Sequence, residues 1–447
     1  MINNKREPII LFLGDVFFLC LALWFTLLLR YAEIPNQEVF QGHLAPFSLL
    51  FVVWILNFFV AGLYEKHTLI LKKKIPAVIF NTQVINSIVA IIFFYFVPFF
   101  GIAPKTNLFI YLVVSSVLIF VWRFNSDFIL GSRKKQNAIL IGSGAEMAEL
   151  LNEIKNNNRY DIELVSFVNL EDVGGIDFQT EIINKIYSEN IHSVIVDLNN
   201  EKVLEILPHL YNLIFSGVRF IDMYKVYEDI FDRTPLSLVG YNWFLENISS
   251  RRHLAYDFLK RTMDIIIAFV LGIVSLVFYP FVYLAIKMDD GGPVFFVGER
   301  IGQNGRVINL LKFRSMSVSS AGGGIEEKPK VTKVGNFLRK TRIDELPQLI
   351  NVLKGEMSLI GPRPETPSLV KRYSETIPYY NIRHLIKPGL SGWAQMYQKN
   401  HPHHGVNIDE TKNKLSYDLY YIKNSSFVLD LKIALKTIRT LLSRAGI

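Results

Sequence analysis

The chain has 447 residues, 50% of them hydrophobic and 20% charged, with a formal net charge of +8 and a pI near 9.2. That length allows two or three domains, and the apolar share exceeds that of an ordinary soluble protein. The positive balance calls for an anionic partner, whether nucleic acid, phospholipid head groups or a phosphorylated substrate, while a single cysteine, Cys20, excludes an intrachain disulfide framework and a cysteine zinc site.

Four long apolar runs come first, at residues 9–29, 44–63, 84–100 and 108–130. Three reach the about 20 residues that cross a bilayer, and the third gains length by extending back through 77–80. No small-residue cleavage site follows the first run, so it reads as a retained helix rather than a signal peptide. The expectation is a bundle of four transmembrane helices over residues 1–131. Lys5 and Arg6 precede the first run. Lys66, Lys72, Lys73 and Lys74 lie between the second and third, and Arg133, Lys134 and Lys135 follow the fourth. The other two loops carry little positive charge, Lys105 being the main exception. The positive-inside rule then places the N-terminus, the middle loop and everything after residue 130 in the cytoplasm. Tyr31, Tyr64 and Trp122 sit near span ends, where amphipathic rings favour the interface.

Residues 136–247 read as a soluble αβ segment. Strands are expected at 137–141, 163–168, 193–196 and 218–221, and helices at 145–154, 180–188 and 202–215. This alternation predicts a parallel, Rossmann-like sheet. Gly142-Ser143-Gly144 follows the first strand, but Met147 stands where a dinucleotide fingerprint has its third glycine. Asn169 ends the second strand, where a ribose-binding acid belongs. A plain strand-to-helix turn and a degenerate nucleotide- or coenzyme-binding site both remain open.

A fifth apolar run, 265–286, is flanked by Lys260 and Arg261 on one side and Lys287 on the other, and is interrupted by Pro280. A straight crossing would carry the rest of the chain away from cytoplasmic nucleotides. Proline removes a backbone donor and bends a helix. A re-entrant helix over about 258–288, entering and leaving by one face, fits better. From Arg251 onward, lysines and arginines exceed acids by about 13, 29 against 16. A basic domain of that kind belongs against an anionic leaflet.

Three stretches of residues 251–447 carry candidate chemistry. The first runs from Gly292-Pro293-Val294-Phe295-Phe296 through Glu299-Arg300, Gly302 and Gly305 to Leu311-Lys312-Phe313-Arg314-Ser315-Met316. It predicts a hairpin in which Lys312 and Arg314 share a face, gripping phosphate or lining a solvated edge. The second is Arg339-Lys340-Thr341-Arg342-Ile343-Asp344-Glu345-Leu346-Pro347-Gln348-Leu349. Proline is tolerated in a first helical turn, so Asp344 and Glu345 lie at or beside a helix N-terminus. Capping explains such acids, and so does a metal-bound pyrophosphate faced by the pair and by Arg339. The third is Gly361-Pro362-Arg363-Pro364-Glu365, followed later by Lys387-Pro388-Gly389-Leu390-Ser391-Gly392-Trp393-Ala394-Gln395. Two prolines present Arg363 stiffly, which suits bidentate phosphate recognition. His401, His403 and His404 form a short cluster that reads as a solvated loop or a metal site.

Taken together and in this order, these motifs resemble the bacterial sugar transferase family, the monotopic polyprenyl-phosphate phosphoglycosyl transferases that initiate exopolysaccharide, capsule and O-antigen assembly. The likeness covers about residues 256–445. The four spans and the central αβ segment match the large form of the family in layout. The resemblance implies a membrane protein of α plus α/β class with a mainly α cytoplasmic catalytic domain. It makes Asp344 the nucleophile that attacks the β-phosphorus of a UDP-sugar, releasing UMP and leaving a phosphosugar on the enzyme for polyprenyl (undecaprenyl) phosphate to collect. By the same resemblance Glu345 assists metal binding or protonation, and Mg2+ is held by Asp344 and Glu345. Lys312, Arg314, Arg339, Arg363, Glu365 and Lys387 contact substrate, and Pro280 marks the break of the re-entrant helix. Expected partners are the phospholipid bilayer and a second copy of the chain, with no nucleic acid, at the cytoplasmic membrane of a bacterium.

Two other readings stand beside it. One is an NAD-dependent nucleotide-sugar dehydratase or epimerase using the central segment. The missing third glycine weighs against it, as does the lack of a Tyr-x-x-x-Lys pair there: Tyr211 is followed by Phe215, and Tyr224 by Glu228. The other is a membrane scaffold, which has no need of Asp344, Glu345 and Arg363.

Overall fold

The computed structural model describes residues 7–64, 75–96, 104–130, 135–157, 160, 162–171, 178–248, 254–317, 330–397 and 407–442. Most of the loop charges used for orientation, from Lys5 and Arg6 to Arg133 and Lys134, lie outside the described residues, as do His401, His403 and His404. The chain divides into two compact units, Met1–Met223 and Tyr224–Ile447.

In the first unit, helices α1 (Glu7–Tyr31), α2 (Gln37–Val60), α3 (Ile75–Phe96) and α4 (Pro104–Leu130) take up the four apolar runs. All four are long and apolar enough to cross a membrane. The third starts well ahead of residue 84, as the backward extension requires. Outward faces carry Phe17, Leu29, Ile88, Ile92 and Phe109, each more than half exposed. In water each would forfeit about 1.5–3 kcal/mol of burial, whereas a lipid face forfeits nothing. Inside, the Tyr111 ring lies 4.9 Å from Phe47 and 5.2 Å from Trp54. Several polar groups in this interior are satisfied across helices. Trp54 Nε1 donates to the Asn86 carbonyl at 3.0 Å, and Asn57 Nδ2 to Asn86 Oδ1 at 2.8 Å. The Arg123 guanidinium of α4 donates to both oxygens of Asp15 in α1, and the Tyr64 hydroxyl reaches Asp15 Oδ2 at 2.5 Å. Both charged residues are buried.

The αβ segment forms β1 (Gln136–Gly142), α5 (Gly144–Asn156), β2 (Ile162–Asn169), α6 (Phe178–Ser188), β3 (Ser193–Val196), α7 (Glu201–Asn212) and β4 (Arg219–Asp222). Its strands are all parallel, in the order β2-β1-β3-β4. The central strands are continuous apolar runs because both faces are covered: Ile139, Leu140, Ile141, Val194, Ile195 and Val196 are fully buried. Gly144 adopts φ +83° and makes the strand-to-helix turn. A Cβ at Gly142 would lie 2.8 Å from Met223 Sδ, so a methionine packs over that glycine.

The second unit opens with α8 (Met223–Phe231), whose first residue belongs to the first unit, and α9 (Tyr241–Asn247). Sequence periodicity alone leaves residues 224–247 with the αβ segment. The structure packs them in the second unit, against partners far along the chain. The Asp232 backbone carbonyl accepts from Trp393 Nε1 at 2.8 Å, 161 residues away, and the Glu228 carboxylate from Lys423 Nζ at 2.6 Å, 195 away. The apolar pair α10 (Leu254–Leu276) and α11 (Tyr279–Asp290) bends by 57° at its break. Pro280 stands in the first turn of α11, where its missing donor costs nothing. Phe269, Val274, Leu276, Phe281 and Leu284 are more than half exposed along the pair.

An antiparallel hairpin follows, β5 (Phe295–Ile301) with β6 (Val307–Phe313). Next come α12 (Lys333–Thr341), a 3-10 turn over Ile343–Gln348, α13 (Leu349–Lys354), β7 (Ser358–Ile360), α14 (Pro367–Thr376), a second 3-10 turn over Tyr380–Leu385 and β8 (Gly389–Ser391). Three helices close the unit: α15 (Trp393–Tyr397), α16 (Ile408–Asn424) and α17 (Phe427–Leu442). Strands β7 and β8 pair in parallel and carry the Gly-Pro-Arg-Pro-Glu and Lys-Pro-Gly stretches side by side. Gly361 N donates to the Ser391 carbonyl at 2.8 Å, and Gly389 N to the Pro362 carbonyl at 2.9 Å. A Cβ on Gly389 would sit 2.1 Å from Gly361 N, so the backbones touch where no side chain fits. Gly389→Ala is therefore expected to destabilise the second unit by about 1–3 kcal/mol. Thermal unfolding in detergent should show a drop of about 2–10 °C; a midpoint equal to that of the wild type would contradict this packing.

Candidate active site

Asp344 and Glu345 stand in the first turn of the 3-10 segment that runs straight into α13. The residue at the cap is Arg342, held at φ +57° in the left-handed region, and no side chain caps this turn. Capping therefore does not account for Asp344. Its side chain is buried, 7% exposed, and Oδ1 has no hydrogen-bond partner among the described residues. A buried polar atom of this kind is uncommon and points to a missing ligand or to a catalytic role.

Glu345 is the opposite case. Its Oε1 receives Arg363 Nη2 at 2.7 Å and Lys312 Nζ at 3.3 Å, with Arg342 Nη1 at 3.8 Å. Burial alone would raise its pKa, but Arg363, Lys312 and Arg342 outweigh burial and hold the carboxyl well below the usual carboxylate range. Asp344 moves the other way. Burial, and then the fixed charge of Glu345, push it up to about 6 against the pull of Lys312, Arg342 and Arg339. Two adjacent acids thus titrate far apart, one permanently charged and one poised near neutrality. Burial draws the Lys312 ammonium down, and Glu345 partly restores it.

The remaining residues singled out in the sequence divide between this cluster and its surroundings. Arg339 is near enough to bias Asp344, and its Nε donates to Ser315 Oγ at 2.9 Å. Arg314 does not join Lys312: it pairs with Asp290 at the end of α11, tying the hairpin to the bent helix pair. Glu365 faces Lys414 and Arg383, which bring its pKa down to about 2 despite burial. Lys387 lies beside Arg261 near Gly355, at the far end of α13 from Asp344. Arg261 itself donates to the carbonyls of Val352 and Leu353 at 2.7 and 2.8 Å.

Some contributors carry no signal in the sequence. Arg383 Nη2 donates to the Arg363 carbonyl at 3.0 Å and pairs with Asp418 at 2.8 Å, both side chains being 2% exposed. Arg383 and Asp418 stand apart in the chain and belong to no local motif. Arg342 stands two residues before Asp344, and that nearby opposite charge is the clue the sequence offers.

Comparison with known proteins identifies relatives of this chain. Residues 255–444 match the model of the family described as bacterial sugar transferase. A UDP-N-acetylgalactosamine-undecaprenyl-phosphate N-acetylgalactosaminephosphotransferase of Aeromonas hydrophila is 43% identical over 199 residues, covering 43% of this chain and 45% of that protein. An uncharacterized sugar transferase EpsL of Bacillus subtilis is 39% identical over 191 residues, covering 42% of this chain and 90% of that protein. An undecaprenyl-phosphate glucose phosphotransferase of Komagataeibacter xylinus is 29% identical over 478 residues, covering 98% of this chain and 85% of that protein. The chain thus spans less than half the length of the Aeromonas relative and most of the other two.

The raised pKa of Asp344 has a consequence for stability. Folding disfavours the ionised form, so the cost is full above about pH 6 and vanishes below the unfolded value of 3.8. Asp344→Asn should therefore stabilise the protein at pH 7.5 by up to about 3 kcal/mol, and not at all below about pH 4. Melting curves of both proteins in chelator-containing buffer check this. An Asn variant that melts lower at pH 7.5 would show that Asp344 is not strained in its ionised form.

Proposed function

Because the chain belongs to the bacterial sugar transferase family, we propose that it moves a sugar-1-phosphate from a UDP-sugar to a polyprenyl phosphate such as undecaprenyl phosphate, releasing UMP. The reaction would be the first membrane step of surface polysaccharide synthesis. The observation that carries this reading is the Asp344–Glu345 pair: a buried carboxylate with an unpartnered oxygen beside one locked by three cations.

In the first step an oxygen of ionised Asp344 attacks the β-phosphorus of the donor. The bond from that phosphorus to the bridging oxygen breaks, and UMP leaves with the electron pair. The product is a phosphosugar joined to Asp344 as an acyl phosphate. In the second step an oxygen of the lipid phosphate attacks the same phosphorus, restores the Asp344 carboxylate and yields a polyprenyl diphosphate sugar. A carboxylate with pKa about 6 is ionised at cytoplasmic pH and more basic than an ordinary aspartate, which suits it as a nucleophile. Arg363, Lys312, Arg342 and Arg339 offset the charge of the incoming diphosphate.

The residues fit Mg2+. Asp344 and Glu345 are adjacent hard-oxygen donors, Asp344 Oδ1 is unpartnered, and a diphosphate supplies further oxygens. Among the described residues no group of three or more His, Cys, Asp or Glu is built to hold a metal alone. This matches an ion that arrives with phosphate rather than one in a dedicated cage. Bound there, the metal would supply charge neutralisation at the phosphoryl oxygens.

The positive loops support a cytoplasmic site, with residues 1–131 as the membrane bundle and 251–447 as the catalytic part. The 57° bend at the α10–α11 break supports a re-entrant helix that leaves by the face it entered. The four parallel strands support a Rossmann-like reading of residues 136–247.

Purified protein given magnesium and the correct UDP-sugar, without lipid phosphate, should release about one UMP per chain and carry a phosphosugar adduct on Asp344. Asp344→Asn should lower UMP release by at least about 10³-fold. At sub-saturating donor, where ionisation of the free enzyme governs, the rate of UMP release should fall as pH drops below about 6 and Asp344 takes up a proton. Release of UDP in place of UMP, or an adduct on another residue, would sink the mechanism.

A further inference from the structure

Arg300 has no part in the reaction as described, yet the hairpin aims it at the same site. The register of β5 on β6 pairs Arg300 with Ile308, Gly298 with Leu310 and Phe296 with Lys312. Directly opposed residues share a face, as do residues two apart on one strand. Arg300 and Lys312 therefore project from the same face, and on that face Lys312 meets Glu345.

Gly298 stands between them. A Cβ there would lie 2.9 Å from the Phe296 ring and 3.2 Å from Arg300 Nη1, so the guanidinium folds back over the glycine toward Phe296, which stands opposite Lys312. The next residue fixes this end of β5 to the Arg363 loop, since Ile301 N donates to the Glu365 carbonyl at 2.9 Å. Arg300 Nη1 donates to the carbonyl of its neighbour Glu299 at 2.7 Å. Among the described residues no acid comes within ion-pair distance of it. Burial lowers its pKa, Glu365 partly offsets that, and the Arg363 charge lowers it further. A partly buried guanidinium near another cation, without an acid of its own, is an incomplete ionic arrangement that an anion would complete.

We propose that Arg300 binds the diphosphate of the nucleotide-sugar donor together with Arg363, as a substrate-binding residue of the Asp344 site. Two guanidiniums and the Lys312 ammonium then surround the group under attack. A side chain at Gly298 would crowd both the Phe296 ring and this guanidinium.

The inference rests on the donor reading above, and one experiment separates the two. Full-length wild type, Arg300→Ala and Arg300→Lys are titrated with UDP in detergent and magnesium by calorimetry, with uridine as the phosphate-free control. Wild type should bind UDP, with Arg300→Ala weaker by about 10- to 100-fold and Arg300→Lys between them, while uridine binding stays unchanged. In turnover, Arg300→Ala should raise KM for the UDP-sugar far more than it lowers kcat. Melting temperatures without ligand should match, and if Arg300→Ala melts early, Arg300→Lys carries the test alone. UDP binding by the folded variants within twofold of wild type would overturn the role of Arg300 and leave the donor reading intact. Wild type that binds no UDP would overturn both.

Discussion

One carboxylate oxygen, Glu345 Oε1, draws in Arg363, Lys312 and Arg342 from three separate segments. The hairpin strand β6, the loop after β7 and the turn before α13 meet there. Taking this many charges out of water is costly unless they neutralise one another, so each partner's position depends on the others. Asp344, one residue away, inherits the consequence. It feels the same cations only at a distance, and it feels that neighbour's negative charge. Its pKa is raised first by burial and then by the Glu345 charge, and its Oδ1 is left without a partner among the described residues.

A second ionic layer supports the first. Arg383 holds Asp418 on one side and the carbonyl of Arg363 on the other, while Lys414 and Arg383 hold Glu365. The Gly-Pro-Arg-Pro-Glu loop is thus fixed at its arginine backbone and at its glutamate. Strand β8 fixes it again at its glycine through direct backbone contact. The loop can present a guanidinium without flexibility of its own, because prolines, backbone contacts and charges constrain it independently.

Much of the architecture is legible in the sequence where one physical signal dominates. Run length exposes α1 to α4, and unbroken apolar stretches expose β1 and β3. The proline at 280 marks the break between α10 and α11. Signals that depend on distant partners are not legible. Residues 224–247 carry no period that distinguishes them from the αβ segment, and their place is set by Trp393, Ser416 and Lys423. Within the site, the strand pattern places Lys312 and Arg314 alike as cations two apart. Only the three-dimensional arrangement sends one to Glu345 and the other to Asp290. Lys387 and Glu365 likewise sit in the right motifs, but their immediate neighbours are Arg261 and Lys414 rather than Asp344. The capping explanation of Asp344 failed for a reason invisible locally: Arg342 takes the left-handed cap position that sequence statistics give to glycine or asparagine.

The buried pair of Asp15 and Arg123 joins the first and last helices of the apolar bundle, 108 residues apart in sequence. A chain growing at about 5–20 residues per second leaves the first member of that pair alone for roughly 5 to 20 s before the second is even made. Until then the opening helix carries an acid without the guanidinium that later pairs with it. This contact between the first and last helices can therefore form only after all four have been made.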